Sequence, residues 1–219
     1  MNPVKVAIAD DQVLFCSGIQ MLIESQDDLQ FVGAAYDGES IVALASQVQP
    51  DVILMDIRMP IRDGIEATAL ILANAPANPP RIIVLTTHQR DTAVLSAVNA
   101  GASGFLMKDA TPEFLLAAIR AVHSGKSVIA PSTASALVQD FSAKPQVQPA
   151  NAAAIAALST REKEIFFLAA KGLSTGEIAA AAFVSESTVK SHVSSILSKL
   201  ELSSRLQLVA LAYSNRLVE

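Results

Sequence analysis

Three aspartates, a threonine and a lysine stand where they could do chemistry together. Asp10 and Asp11 follow the apolar run Val4–Ala9, Asp56 follows Val52–Met55, Thr86 follows Ile82–Leu85, and Lys108 follows Gly104–Met107. If those runs are strands of one parallel sheet, their carboxyl ends share an edge. Residues a hundred positions apart then meet in one pocket. Three carboxylates crowded there repel one another unless a cation intervenes. An oxygen-only donor set, with no His or Cys, suits a hard divalent ion, and Mg2+ is the natural choice. Lys108 would add a fixed positive charge and Thr86 a hydroxyl. Carboxylate nucleophile, divalent ion, ammonium and hydroxyl together could accept a phosphoryl group and stabilise its oxygens. A single aspartate after a strand is an ordinary turn former; the whole set at four strand ends carries the expectation.

The elements that must position this set are legible as alternating patterns. Val13–Ser25 places Leu14, Phe15, Ile19, Leu22 and Ile23 at helical spacing. Leu29–Ala35 reads as strand, and Glu39–Val48, Ile65–Ala75 and Thr92–Ala100 read as helices. Val52–Met55 does not alternate, the mark of a strand buried on both faces. Pro112–Ser124 reads as a helix with Thr111 as N-cap and Pro112 at its first position. Five strands alternating with five helices predict an α/β domain over residues 1–125, an open five-stranded parallel sheet with helices on both faces. After Gly125 the pattern breaks. Ser132–Phe141 could add a short helix, and residues 142–154, with two prolines and no apolar periodicity, read as linker, so 126–155 joins two units.

Residues 156–219 read as a small all-α domain. Ser159-Thr160-Arg161-Glu162 and Ser174-Thr175-Gly176-Glu177 both fit the capping box, Ser185 offers a further N-cap, and Gly172 ends the first helix. From Ser187 to Leu200, Val189, Val193, Ile196, Leu197 and Leu200 form one buried stripe. The other face offers Ser187, Lys190, Ser191, Ser194 and Lys199, small polar residues and lysines suited to a helix in a DNA major groove. Thr175–Ala182, a short turn and this helix make a helix-turn-helix, although small bundles that bind only protein show the same pattern. The last segment, Ser203–Leu217, carries Leu206, Leu208, Val209, Leu211, Ala212 and Leu217, more apolar surface than so small a bundle readily buries.

Composition narrows the classes further. The 219 residues are enough for two ordinary domains at roughly 100–150 residues each. Mean hydropathy is +0.41, yet the longest apolar runs, Ala152–Leu158 and Ile178–Val184, are far shorter than the about 20 residues a membrane span needs. Met1-Asn2-Pro3-Val4-Lys5 lacks a signal peptide's apolar core, and a single cysteine, Cys16, forms no internal disulfide; both fit a cytoplasmic protein with no membrane partner. Of the net charge of −5, residues 1–150 carry −6 and residues 151–219 carry +1, as expected of two units with different partners.

The first unit resembles the receiver domain of two-component response regulators. The likeness rests on Ile8-Ala9-Asp10-Asp11, Leu54-Met55-Asp56-Ile57-Arg58-Met59-Pro60, Asp63-Gly64, Leu85-Thr86-Thr87 and Gly101-Ala102-Ser103-Gly104-Phe105-Leu106-Met107-Lys108. It implies a flavodoxin-like fold in which Asp56 is the phospho-acceptor and a histidine kinase the donor. Asp10, Asp11 and Asp56, with the backbone carbonyl of Arg58, would hold Mg2+. Thr86 would bond the phosphoryl group, Lys108 would pair with it, and Thr86 with Phe105 would form the switch. Relatives often have Tyr at the position of Phe105, so here the aromatic lacks a hydroxyl to anchor either state. Arg58 and His88 flank the pocket, where they would influence phosphoryl lifetime.

The second unit resembles LuxR-type DNA-binding domains. Leu158-Ser159-Thr160-Arg161-Glu162-Lys163-Glu164-Ile165, Gly172-Leu173-Ser174, Glu177-Ile178-Ala179 and Val184 to Val193 carry the likeness. Joined to a receiver, it defines the NarL/FixJ class. The resemblance puts Lys190, Ser191 and Ser194 at the bases, Thr188 and His192 near phosphates, and the last helix at a homodimer contact on double-stranded promoter DNA. Relatives often carry basic residues where this chain has Gly176 and Ser194. Lys171, Lys190, Lys199, Arg205 and Arg216 then supply the basic surface beyond Arg161 and Lys163, and a shallow salt dependence follows. The function expected is a phosphorylation-controlled transcription regulator, able to shed its own phosphoryl group but turning over no metabolite. The alternative is a DNA-binding regulator that ignores phosphorylation. An aspartate phosphatase would need a second acid two residues after Asp56, where Arg58 stands.

Overall fold

A computed structural model describes residues 2–74, 79–87, 93–129, 152–202, 204–215 and 217–218. The first unit runs β1 (Val4–Ala9), α1 (Val13–Glu24), β2 (Leu29–Ala35), α2 (Gly38–Val48), β3 (Val52–Asp56), α3 (Gly64–Ala73), β4 (Arg81–Thr86), α4 (Ala93–Asn99), β5 (Gly104–Met107) and α5 (Pro112–His123). All neighbouring strands pair in parallel, in the order β2-β1-β3-β4-β5. The expected five-stranded sheet gains one short member. Val128–Ile129 pairs with Gly104 and Phe105 as β6 at the edge, inside the stretch read as linker. Two residues carry no alternation to read, so only pairing reveals this strand. The helix expected over Ser132–Phe141 lies outside the described residues.

The unbroken apolar strands feed two cores, one on each face of the sheet. Ala7, Ala9, Ile53, Met55, Ile82, Val84 and Phe105 point to one side, against Ile41 of α2, Ala67 and Ile71 of α3, and Ala97 and Val98 of α4. Val6, Ile8, Val52, Leu54, Ile83, Leu85 and Leu106 point to the other, against Cys16, Ile19 and Ile23 of α1 and Leu115, Leu116, Ile119 and Val122 of α5. The period of two thus sends neighbours to opposite faces, and each fully buried Ile or Leu contributes roughly 1.5–3 kcal/mol. Asp37, Asp63 and Thr111 cap α2, α3 and α5.

In the second unit a 3-10 turn (Ala152–Ile155) precedes α6 (Thr160–Ala170), α7 (Thr175–Ala182), α8 (Glu186–Lys199) and α9 (Arg205–Ser214). Both capping boxes form, Ser159 with Glu162 and Ser174 with Glu177. Ser185 caps α8 by accepting the Thr188 N–H. Ile165, Phe166, Ile178, Val189, Ile196, Leu208 and Ala212 make the core. Between α7 and α8, Phe183 adopts a left-handed backbone (φ 55°) and stands almost wholly exposed, so the tight turn is made at a non-glycine residue.

Candidate functional site

β1 and β3 are sheet neighbours, while the chain goes from β1 to β2 on one side and on to β3 on the other. The carboxyl ends of β1 and β3 therefore flank the topological switch point, where an open α/β sheet leaves a crevice. Asp10 and Asp56 stand there, buried, with the exposed Asp11 beside them. One carboxylate oxygen from each of the three lies within 4.8 Å of the others. Thr86, buried at the end of β4, holds the loop after β5 by accepting the Lys108 N–H at its carbonyl, 2.8 Å. Lys108 then reaches back, its Nζ 2.7 Å from Asp10 Oδ2 and 3.1 Å from Asp56 Oδ2. Asp11, Asp56, Arg58, Thr86 and Lys108 line a cavity of about 150 Å³.

The electrostatics follow from this crowding. Burial, with the charge of Asp10 adding to it, raises the Asp56 carboxyl above its ordinary value against the pull of Lys108. Burial works against the Lys108 ammonium, but its bond to Asp10 and the charges of Asp56 and Asp10 outweigh it and raise the group. A lone lysine is thus shared by two carboxylates while a third sits open to solvent. That donor set, all oxygen and in excess of negative charge, fits a hard divalent cation.

Gln12, Phe15 and Cys16 support the site but carried no signal for that role in the sequence. Gln12 N–H donates to Asp10 Oδ1 (3.0 Å) and fixes that carboxylate. The Phe15 ring lies 5.3 Å from Lys108 Nζ, close enough for a cation–π contact. Cys16 donates its thiol to Asp10 O, and burial, with Asp10 beside it, pushes it up to about 11, so it stays an unreactive thiol at neutral pH. Gly64 opens α3 directly against the Asp56 carbonyl, and its N–H bonds Ile57 O at 2.9 Å. Phe105 is fully buried in the sheet. His88 lies outside the described residues.

On the second unit, Lys190, Ser191 and Ser194 are exposed along α8, with Thr188 and His192 half-buried at its edges. The Thr188 hydroxyl pairs with Ser185, and Ser191 donates to Ser187 O. The basic surface is smaller than the sequence count implied. Lys199 is bound 2.8 Å from Glu162, which is buried and also accepts Ser195 Oγ (2.7 Å) and the Ser159 N–H (2.8 Å). Bonds from Lys199, Ser195 and Ser159 hold the Glu162 carboxyl far below its usual range. Arg161 is engaged by Glu164 and Ala182 O, and Arg205 is half-buried against carbonyls. Arg216 lies outside the described residues. Glu162 therefore ties α6 to the carboxyl half of α8, and Lys199 serves that tie. Replacing Lys199 with methionine will leave the salt slope of DNA binding unchanged and lower the unfolding midpoint. Lys190→Ala, at a residue expected to face base edges, will cost about 1–3 kcal/mol of affinity for the preferred site and relax specificity there. Anisotropy titrations across a salt series measure both.

The chain's relatives match both halves of this arrangement. Residues 6–120 match the response regulator receiver domain, and residues 156–212 match the bacterial regulatory proteins of the luxR family. The chain is 41% identical over 219 residues to the uncharacterized transcriptional regulatory protein YxjL of Bacillus subtilis, covering all of this chain and 99% of that protein. It is similar along its whole length to the crystal structure of the response regulator ChrA of a heme-sensing two-component system, 36% identical with a TM-score of 0.52 and all of both chains covered. RcsB, solved as two dimers bound to two parallel DNAs, is 26% identical with a TM-score of 0.58, covering 97% of this chain and 99% of that one. No helix among the described residues is long and apolar enough to cross a membrane. An acidic pocket at a parallel sheet's switch point, followed by a helix-turn-helix bundle, makes this chain a two-component response regulator, a receiver domain joined to a luxR-family DNA-binding domain.

Proposed function

We propose that this protein acts in the cytoplasm, that Asp56 is the phospho-acceptor, that Asp10, Asp11 and Asp56 with the Arg58 backbone carbonyl hold Mg2+, and that a histidine kinase is the donor. The observation that supports this most is the meeting of Asp10, Asp11, Asp56 and Lys108 at one strand-end crevice. An Asp56 carboxylate oxygen attacks phosphorus, the O–P bond forms as the P–N bond of the phosphohistidine breaks, and the imidazole leaves with a proton from solvent. Mg2+ bound there offsets carboxylate charge and stabilises the phosphoryl oxygens. Lys108, now shared between Asp10 and Asp56, is placed to pair with the phosphoryl group, and the Thr86 hydroxyl to bond it. The shift of Thr86 is read by the buried Phe105 one strand away. Arg58 is no acid, so the site has no group two residues on to protonate an alcohol leaving group, and the protein is not a turnover phosphatase.

The output is recognition of double-stranded promoter DNA by α8, with Lys190, Ser191 and Ser194 at base edges and Thr188 and His192 near phosphates, by a homodimer on a two-fold site. The two functions are tested together by selecting bound DNA from random sequence with and without a small phosphodonor and Mg2+. The expected result is enrichment of an inverted repeat only, or far more strongly, with the phosphodonor. Equal enrichment in both arms would mean a regulator indifferent to phosphorylation.

A further inference from the structure

Among the described helix starts, that of α1 stands apart. Each of α2, α3 and α5 to α9 is opened by a Ser, Thr or Asp whose side chain accepts a backbone N–H of the first turn. At α1 the N-cap is Gln12, and its side chain accepts none. The extra methylene of glutamine carries the amide past the N–H groups that a shorter side chain would meet. Serine or aspartate there would hold the helix better, so the helix does not explain the residue type.

Gln12 instead lines the phosphorylation cavity of about 150 Å³, with Asp11, Asp56, Arg58, Thr86 and Lys108. Its backbone N–H is taken by Asp10 Oδ1, 3.0 Å away, which ties the start of α1 to the acidic cluster. The residue is exposed, and among the described residues nothing engages its amide. The charged groups of the cavity are one-sided. Ionised Asp11 and Asp56 only accept hydrogen bonds, while Lys108 and Arg58 only donate them. Lys108 is also shared already by Asp10 and Asp56. Thr86 carries its hydroxyl on a short arm, buried at the end of β4. Gln12 brings a carbonyl acceptor and an NH2 donor together on a flexible arm. A water takes about 30 Å³ of liquid volume, so the cavity has room for one beside a phosphoryl group.

We infer that Gln12 orients the water that hydrolyses the phosphoryl group from Asp56, and so sets how long the signal lasts. The inference rests on the proposal that Asp56 is the phospho-acceptor. The water oxygen attacks phosphorus opposite the Asp56 oxygen. Its O–P bond forms as the bond to Asp56 breaks, and Asp56 is released as a carboxylate. One proton of the water stays on inorganic phosphate, and the other passes through it to solvent. Gln12 takes no proton. Its carbonyl accepts a hydrogen bond from the water and its NH2 donates to a phosphoryl oxygen, holding the two reactants in line. Glutamine orients the attacking water in other phosphoryl-transfer proteins by the same chemistry.

The test uses the full chain and two variants, both of which keep the backbone N–H that Asp10 accepts. Gln12→Met preserves the bulk at the cavity and removes the amide. Gln12→Ser removes the amide and supplies the missing cap of α1. Each protein is labelled with radioactive acetyl phosphate and Mg2+, freed of donor, and followed for loss of label. Incorporation rates, Mg2+ affinity by calorimetry and thermal midpoints are measured alongside. Q12M is expected to lose label roughly five- to tenfold more slowly than wild type, the scale of one hydrogen bond made in the transition state. Q12S should be slowed equally, while its midpoint rises by about 3 °C as the cap forms. Mg2+ affinity should stay within about twofold of wild type in both.

Faster loss in Q12M would overturn the inference, since Gln12 would then be a shield against water. Slowing in Q12M that Q12S reverses would overturn it too, because the helix start would be what matters. Incorporation slowed as much as loss would place the amide on the phosphoryl oxygens alone and would equally overturn it. Label that enters normally and leaves Q12M at the wild-type rate defeats the inference by itself. A wild type that takes no label defeats the reading of Asp56, and the inference with it.

Discussion

Asp56→Asn will abolish phosphoryl incorporation from acetyl phosphate and, with it, the phosphodonor's effect on DNA affinity. The amide oxygen is a poor nucleophile, and no other described carboxylate shares both the burial and the Lys108 contact except Asp10, which Lys108 holds at 2.7 Å. The substitution removes one of two partners of Lys108 and keeps the other, so the pocket retains a buried ion pair and the domain folds. Labelling should drop to background while unphosphorylated DNA binding stays within about twofold of wild type, the ±0.5 kcal/mol scale of a change remote from the interface. Labelled protein on a denaturing gel measures the first quantity and anisotropy the second. Persistent labelling of the variant would remove Asp56 from the mechanism.

Gly64→Ala will damage the receiver nearly as severely, through packing. A Cβ on Gly64 would lie 1.9 Å from the Asp56 carbonyl oxygen and 2.9 Å from its carbon. Backbone, not a flexible side chain, is in the way, so the strand end and the start of α3 must separate. Overpacking of this kind costs typically 1–3 kcal/mol and more where backbone must move. At about 3 kcal/mol the receiver's unfolding midpoint falls by roughly 10 °C. Because the displaced carbonyl belongs to Asp56 itself, labelling should slow even at temperatures where the variant is folded. Gly18→Ala is the matched control. A Cβ there meets nothing within 4 Å inside α1, and alanine in a helix is better than glycine by roughly 1 kcal/mol. Thermal unfolding followed by circular dichroism should move the two variants in opposite directions.

The contrast between the two glycines also marks what a reader of the chain can and cannot see. Asp10, Asp56, Thr86 and Lys108 were legible because each ends a short apolar run, and a parallel sheet puts all such ends on one edge. The capping boxes at Ser159 and Ser174 were legible because their chemistry is local. β6 was not, since two residues have no period. Nor was the binding of Lys199 by Glu162, 37 positions away, because a lysine on a polar helix face looks the same whether it meets phosphate or carboxylate. The surplus apolar residues of α9 did register, but as a choice between a closing helix and a dimer contact. Which face went where depended on Leu206 packing into the receiver's core cluster, about 100 residues along the chain from that cluster's Phe105.

The account rests on a phosphoryl group carried by Asp56 beside a divalent ion, and the most direct measurement maps that group. The full chain is incubated with acetyl phosphate in Mg2+ or in EDTA, then reduced with borohydride, which converts an aspartyl phosphate to homoserine and leaves free aspartate untouched. Mass spectrometry of the peptides spanning Val4–Gln12 and Val52–Pro60 reads the result. The account predicts homoserine at position 56, dependent on Mg2+ and absent from positions 10 and 11. Conversion at another aspartate, or equal conversion in EDTA, would contradict it.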